Sequence, residues 1–198
     1  MRAIEEFVRR LFVALRSRYY IAYYRFVHGV EFGPGVRVYS RLIIHGPGKV
    51  IVGAGTCFSS RRAINELCTM DRNAVIRIGA GCLMNGAVIG CARSVTIGDR
   101  CILAEVYVRD TSSHGPSAAN RHLRNSAIIA PVTLGENVWV GSHAHVMPGV
   151  HVGDNTVIGV NSVVTKSLPA DVFAAGCPAV RVKELPEDPA ERMEAEAE

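Results

Sequence analysis

The sequence has no apolar run long enough to cross a membrane and no secretory signal. A spanning helix needs about 20 consecutive apolar residues, and a signal peptide needs an uninterrupted apolar segment. Near the start, charged residues break up the apolar stretches: Glu5, Glu6, Arg9 and Arg10. We therefore expect a cytoplasmic protein.

Paired cysteines and clustered basic runs are also missing. The six cysteines include no C-x-x-C pair, so the sequence favours reduced core thiols over disulfides or metal ligands. The repeat region described below has no basic run interleaved with aromatic residues, which argues against nucleic acid as a partner.

Charge is unevenly distributed along the chain. Residues 1–183 hold 21 Lys and Arg against 11 Asp and Glu, whereas residues 184–198 hold one against seven. We expect 184–198 to be an acidic, flexible tail without a packed role. The basic body fits either an anionic ligand, such as a phosphorylated cofactor, or an ordinary solvated surface.

An aliphatic residue recurs at every sixth position in the C-terminal half: Leu134, Val140, Val146, Val152, Ile158 and Val164. A period of six is too long for a helical face and too selective for an ordinary strand. Short parallel strands coiled as a solenoid would place every sixth side chain in one interior column. A glycine follows four of the six and would lie at a tight corner.

A second position supports the coil. The fourth residue after each aliphatic residue is small or slim: Val138, Ala144, Val150, Thr156 and Ser162. The same register recurs upstream from Val52, Ile78 and Ile97, with Cys82 and Cys101 in the slim position. Ile97 and Leu134 are 37 residues apart, which is one coil of about 18 residues plus an insertion at 110–131. The sequence predicts one β-helix domain over 31–183.

The first 30 residues carry a helical pattern instead, with one apolar face: Ile4, Val8, Leu11, Phe12, Leu15 and Tyr19. Two roles are open for this segment. It can cap the open end of the solenoid, where edge strands need cover, or it can make weak contact with a membrane surface.

Chemistry is expected where the repeat is interrupted, because long loops on rigid scaffolds tend to carry catalytic groups. His114 stands at the base of the insertion, before Gly115 and Pro116. From these residues alone, His114 is a candidate general base or a solvated loop side chain.

Three landmarks then give a specific resemblance: Trp139-Val140-Gly141-Ser142, Ser162-Val163-Val164-Thr165-Lys166 and Gly176-Cys177-Pro178-Ala179. The chain resembles hexapeptide-repeat O-acetyltransferases over about residues 50–183, the group that includes the maltose, galactoside, nodulation-factor and polysaccharide-cluster acetyltransferases. The resemblance implies an all-β fold, a left-handed parallel β-helix. It also implies a homotrimer with acetyl-CoA bound between subunits and no metal.

The resemblance also assigns roles to residues. His114 matches the family's catalytic histidine, and Asn85 matches an asparagine that contacts the acceptor sugar, although a corner residue in a left-handed backbone is the alternative. Four positions match the coenzyme A arm: Ser142, Val160, Thr165 and Lys166. Arg181 and Lys183 match basic residues near the nucleotide phosphate, but sugar acetyltransferases place one of these where this chain has Val180.

The expected reaction is direct transfer of an acetyl group from acetyl-CoA to a hydroxyl of a sugar or polysaccharide precursor, with His114 as general base. Asp110 is a candidate to hold the imidazole or contact the substrate, and its alternative role is to cap the turn. An acidic residue that some relatives use on the sugar is missing near Cys91 and Ala92, so the acceptor is not inherited from them.

Three alternatives remain: N-acetylation of an amino sugar, a metal-dependent carbonic anhydrase, and a non-catalytic structural β-helix. The anhydrase requires converging histidines, usually with two of them five residues apart. No such pair exists, although the sequence does contain His143, His145 and His151.

Overall fold

The computed structural model describes residues 2–60, 62–123 and 126–186, without the side chains at positions 2–4, 6, 9 and 10. The chain begins with one helix, α1 (Arg2–His28), and continues as short strands. In chain order the strands are β1 (Glu31–Phe32), β2 (Arg37–Val38), β3 (Leu42–His45), β4 (Lys49–Val52), β5 (Cys57–Phe58), β6 (Asn65–Thr69), β7 (Val75–Ile78), β8 (Leu83–Asn85), β9 (Val88–Cys91), β10 (Ser94–Ile97), β11 (Ile102–Ala104), β12 (Tyr107–Arg109), β13 (Val132–Leu134), β14 (Trp139–Val140), β15 (His145–Val146), β16 (His151–Val152), β17 (Val157–Ile158), β18 (Val163–Val164), β19 (Val172–Gly176) and β20 (Ala179–Glu184).

From β1 to β18, successive strands join three sheets in turn and pair in parallel, so the chain forms a three-sided coil. The first face contains β1, β4, β7, β10, β13 and β16, the second contains β2, β5, β8, β11, β14, β17, β19 and β20, and the third contains β3, β6, β9, β12, β15 and β18. On the first face, Ile78 pairs with Ile97, Ile97 with Leu134, and Leu134 with Val152. The interior column predicted from the sixfold spacing is confirmed.

Two edges of this coil matter for function. The Asn85 edge is formed by the turns after β5, β8, β11, β14 and β17, where the chain passes from the second to the third face. The His114 edge is formed by the turns after β6, β9, β12, β15 and β18, where the chain passes from the third to the first face.

The slim inward position is filled as predicted. Its polar members are buried and bond to the backbone of the next coil: the Thr56 hydroxyl donates to Gly79 over 2.8 Å, the Cys101 thiol donates to Gly135 over 3.1 Å, and the Ser162 hydroxyl accepts from the Gly176 amide over 3.1 Å. Short polar groups therefore fit this apolar column because each finds a backbone partner.

Close packing of successive coils explains the repeated glycine. A Cβ added to Gly98 would overlap the backbone of Gly135 in the next coil. The residue in the left-handed conformation comes two positions after the glycine, for example Arg100 (φ 59°) and Asn137 (φ 54°). The glycines are required by the spacing between coils, and the corner itself is made by the residue two positions later.

Helix α1 covers the end of the coil, as the capping role requires, but through a different face from the apolar one read in the sequence. The Tyr24 hydroxyl donates to the Leu42 carbonyl over 2.9 Å, and the Ser17 hydroxyl accepts from the Val38 amide over 2.8 Å. The predicted apolar face, including Leu11 and Leu15, remains exposed. Edge strands offer unpaired backbone groups, so polar helix residues make this contact.

The C-terminal boundary also differs from the prediction. Strand β20 runs antiparallel to β19 and includes Glu184, and the Leu185 amide donates to the Asp171 carbonyl over 2.7 Å. Packed structure therefore continues past the predicted start of the tail at residue 184. The remainder of the predicted tail, 187–198, lies outside the described residues.

Among the described residues, no helix combines the length and apolar character needed to cross a membrane.

Candidate active site

His114 lies beside a groove at the break in the coil. The chain leaves the third face after β12 and returns to the first face at β13. A cavity of about 600 Å³ opens at this point, lined by Met70, Asp71, Ala92, Thr111, Ser113, His114, Ala127 and Ile129. The imidazole is exposed, so it is available to a molecule in this groove.

The base of the insertion holds the backbone of His114 in place. The Ser112 hydroxyl donates to the His114 carbonyl over 2.7 Å and accepts from the Ile128 amide over 2.9 Å. The Ser112 amide also donates to the Ile128 carbonyl over 3.0 Å, and Ser113 adopts a left-handed φ of 63°. The two ends of the loop are thereby joined where the histidine emerges.

Asp110 is fully buried and faces away from the groove's solvent. Its carboxylate accepts from the amides of Ala92, Arg93 and Ser94 over 2.6, 2.6 and 2.7 Å. These bonds occupy the carboxylate in closing the preceding turn. The prediction that Asp110 contacts the substrate or holds the imidazole is therefore wrong, and the turn that it caps is the one at 92–94 in the preceding coil, not the turn before His114.

The same carboxylate affects a neighbouring thiol. Burial, followed by the negative charge of Asp110, raises the pKa of Cys91 to about 12. The thiol therefore keeps its proton at neutral pH, and two acceptors lie near the sulfur, the Val75 carbonyl at 3.4 Å and Oδ2 of Asp110 at 3.6 Å. Cys91 packs as a small core group, as predicted for the cysteines. The protonated thiol is a weak nucleophile, because only a thiolate is a strong one.

Asn85 lies on the Asn85 edge at the end of β8 and is half-buried. Its carbonyl accepts from the Glu105 amide over 2.7 Å, and the Glu105 carboxylate lies 3.3 Å from Nε2 of His143. The backbone of Asn85 is not left-handed, since that conformation is adopted by the following residue, Gly86 (φ 82°). The alternative that Asn85 is a corner residue in a left-handed backbone is therefore wrong.

The residues matched to the coenzyme A arm divide between the two edges. Ser142 and Val160 lie on the Asn85 edge one coil apart, where the Ser142 carbonyl accepts from Asn161 over 2.9 Å. Thr165 and Lys166 follow β18 on the His114 edge, and both are exposed. The third face therefore separates His114, Thr165 and Lys166 from the other group.

The two basic residues of β20 differ in their surroundings. The guanidinium of Arg181 pairs with the carboxylate of Glu184 at 3.0 Å on the exposed surface. Lys183 lines a second cavity, of about 660 Å³, on the second face, together with Ile102, Asn137, Trp139, Asn155, Val157, Asp171, Phe173, Leu185 and Pro186. Of these two cations, the amino group of Lys183 is the one beside a cavity.

The histidines considered as metal ligands do not converge. His145 lies on the third face, stacked on Tyr107 with ring centroids 4.9 Å apart, and His151 lies on the first face. Among the residues that the structure describes, no group of three or more His, Cys, Asp or Glu side chains is placed to hold a metal ion.

Comparison with known proteins identifies the repeat. Residues 131–166 match the family model for the bacterial transferase hexapeptide (six repeats). This segment of the chain is similar to the hexapeptide-repeat transferases. Its fold is accordingly a left-handed parallel β-helix, as the sequence predicted.

Similar hexapeptide-repeat proteins include named acetyltransferases. Galactoside O-acetyltransferase of Escherichia coli (strain K12) is 40% identical over 94 residues, which are 46% of this chain and 45% of that protein. A putative colanic acid biosynthesis acetyltransferase of the same strain is 39% identical over 90 residues, 46% of this chain and 47% of that one. The chain spans about half the length of the curated relatives it matches.

Solved structures extend the likeness to about four fifths of the chain. A galactoside acetyltransferase in complex with coenzyme A has a TM-score of 0.54 and 28% identity, covering 79% of this chain and 66% of that one. An N-acyltransferase mutant from Bacillus cereus, in complex with dTDP-4-amino-4,6-dideoxyglucose and coenzyme A, has a TM-score of 0.65 at 17% identity, covering 84% of this chain and 89% of that one. The second likeness concerns the fold alone.

Two residues that line the cavities received no site role from the sequence, although Trp139 is part of one landmark of the resemblance. Asp71 enters the His114 groove from the turn after β6, two coils before the insertion. Trp139 is about half exposed and lines the second cavity beside Lys183. Trp139 directly precedes the column residue Val140, so strand alternation could have placed it outside the coil. No sequence pattern places Asp71 near His114, because its position in the groove depends on how the coils stack in three dimensions.

Proposed function

We propose that the protein is an acetyl-CoA-dependent O-acetyltransferase that acts on a hydroxyl of a sugar or a related small acceptor. The observation that carries the proposal is an exposed imidazole, His114, beside a groove at the single large break in a hexapeptide-repeat coil. O-transfer is favoured because the relatives at about 40% identity are named as O-acetyltransferase or acetyltransferase.

The active site is completed by a second copy of the chain. One face of the coil is about six residues wide, which at about 3.3 Å per residue separates its edges by roughly 20 Å. His114 and Asn85 lie on opposite edges of the third face, too far apart to act on one small molecule. Packing the His114 edge of one copy against the Asn85 edge of the next, as in a closed homotrimer, joins the two groups.

Acetyl-CoA lies in this groove between copies. Ser142 and the backbone at Val160 bind its arm from one side, and Thr165 and Lys166 bind it from the other. The amino group of Lys183, beside Trp139 in the second cavity, is suited to the nucleotide phosphate. Arg181 contributes less, because Glu184 already neutralises its charge.

His114 removes the proton from the acceptor hydroxyl as its oxygen attacks the thioester carbonyl carbon. The resulting tetrahedral oxyanion collapses, the carbon–sulfur bond breaks, and the imidazolium returns the proton to the sulfur of coenzyme A. Acetyl ester and free coenzyme A leave without a covalent enzyme intermediate. Holding both substrates in one groove can remove about 7–11 kcal/mol from the barrier. A backbone amide near Ser142, or its hydroxyl, stabilises the oxyanion.

Release of coenzyme A, measured with a thiol reagent against a panel of acceptors, tests the proposal. The panel contains galactosides, nucleotide-sugars and amino sugars. We expect acceptor-dependent release that falls at least about 100-fold in His114→Ala. His122→Ala is the matched control, because His122 is an exposed histidine of the same insertion that does not line the groove.

Other outcomes identify the alternatives. Exclusive transfer to amino sugars would indicate an N-acetyltransferase. Stoichiometric zinc with hydration of carbon dioxide would indicate a carbonic anhydrase. Absence of acetyl-CoA binding would leave a structural role and contradict the proposal.

A further inference from the structure

Helix α1 has two different long faces. One faces the coil and contains the buried Ser17 and Tyr24, with Tyr20 and Ile21 partly buried beside them. The opposite side carries an apolar stripe of side chains that are between 43% and 93% exposed: Val8, Leu11, Phe12, Leu15, Tyr19, Tyr23 and Phe26. Folded soluble proteins rarely leave a continuous apolar surface of this size without a partner.

Helical geometry shows that the stripe is continuous. At 100° per residue, Phe12, Leu15 and Tyr19 fall within one narrow arc, roughly opposite Ser17 and Tyr24. Docking of the other face therefore turns the stripe outward, away from the coil. The contact with the coil fixes the orientation in which this surface is presented.

Positive charge borders the stripe. Arg18 lies at one border and Arg16 at the other, where Arg16 also stands over the ring of Tyr20 at 5.7 Å. The helix sequence contains six arginines against two glutamates, Glu5 and Glu6, which are both near its start. Arginines beside an apolar face can bind lipid phosphates while the apolar side chains enter the acyl boundary.

We propose that α1 docks the protein on an anionic lipid surface, lying in the plane of the interface with the apolar stripe inserted. The helix lies on the bilayer, since none of the described helices is apolar enough to cross it. A second copy of the chain is a poorer partner for the stripe than a lipid surface. Pairing the stripes of two copies would bring their arginines close together along both borders. The inference does not depend on the transfer reaction.

Co-sedimentation of the full-length protein with lipid vesicles tests this docking. We expect binding to vesicles of phosphatidylcholine mixed with phosphatidylglycerol, weak binding to pure phosphatidylcholine, and weaker binding at high salt. The double variant Phe12→Gln and Leu15→Gln removes apolar area without breaking the helix and should weaken binding at least about tenfold. Arg18→Gln should weaken it about fivefold.

Matched control variants on the coil distinguish docking through α1 from nonspecific binding of the protein to vesicles. Tyr39→Gln changes an exposed aromatic residue outside α1, and Arg77→Gln removes one positive charge from the first face. Both should bind vesicles as the unaltered protein does. Acceptor-dependent coenzyme A release in the absence of lipid should also be unchanged in the Phe12/Leu15 variant, which shows that the variant is folded.

Two results would overturn the proposal. The first is unaltered protein that stays in solution with both kinds of vesicle. The second is a Phe12/Leu15 variant that still binds vesicles fully or that forms a smaller oligomer by light scattering, since the latter would make the stripe an interface between copies.

Discussion

Asp110 fixes the position at which the insertion begins, through hydrogen bonds of its carboxylate and its backbone carbonyl. It is the last residue before the chain leaves the coil, and its carboxylate closes the turn of the preceding coil through three backbone amides. The Ala130 amide then donates to the Asp110 carbonyl over 2.9 Å where the chain returns. One residue thereby joins the preceding turn to both ends of the loop that presents His114.

Asp110→Ala should destabilise the protein by about 3 kcal/mol or more, because three part-buried amides lose a charged acceptor. Chemical denaturation measures this as a lower free energy of unfolding. Asp71→Ala is the matched control: Asp71 is exposed and accepts one amide, from Asn73 over 2.8 Å, so its loss should cost less than about 1 kcal/mol. Equal stability of the two variants would contradict this role for Asp110.

At the residue scale, position in the repeat decided what the sequence could predict. His114 became a candidate because it stands where the sixfold pattern stops, and the family resemblance assigned it the role of general base. Asp110 has two chemically reasonable partners in the sequence, and only the observed turn chooses the amides of 92–94 over the imidazole. Asp71 comes from an earlier coil whose length departs from 18 residues, so no fixed spacing linked it to His114.

At the scale of the elements, contact between coils makes the glycines indispensable. Gly98→Ala should cost about 2–3 kcal/mol, because the new Cβ overlaps backbone that cannot rotate away. Gly55→Ala should cost only about 1 kcal/mol, since its φ of 70° is strained but the space around it is open. Thermal and chemical unfolding of both variants measure the difference, and a larger cost at Gly55 would mean that corner conformation dominates.

Helix α1 shows that hydrophobic periodicity can predict a helix without predicting which of its faces contacts the coil. Hydrophobic spacing predicted a helix over 1–30, and α1 occupies Arg2–His28. Spacing left two roles open for the apolar side, covering the coil or contacting a membrane surface, and the contact with the coil is made instead by Ser17 and Tyr24 with backbone groups of β2 and β3. Periodicity identifies an apolar face, whereas edge strands select polar partners for their unpaired backbone groups.

At the scale of the whole molecule, the two residues that we propose act together, Asn85 and His114, lie on edges of the coil that do not meet. The interior column, the slim inward positions and the insertion were all predictable, since each follows from a fixed repeat length. The separation of Asn85 from His114 follows from which turn each residue occupies. We expect function to require the assembled oligomer for this reason.

Complementation between two inactive variants tests the central claim most directly. His114→Ala and Asn85→Ala should each be nearly inactive alone, because each damages one edge of every site. Co-expressed in equal amounts, they should recover about one quarter of the unaltered activity, since random closed assembly gives that fraction of sites an intact His114 edge and an intact Asn85 edge. Activity no higher than that of the two variants measured separately would contradict a site shared between copies.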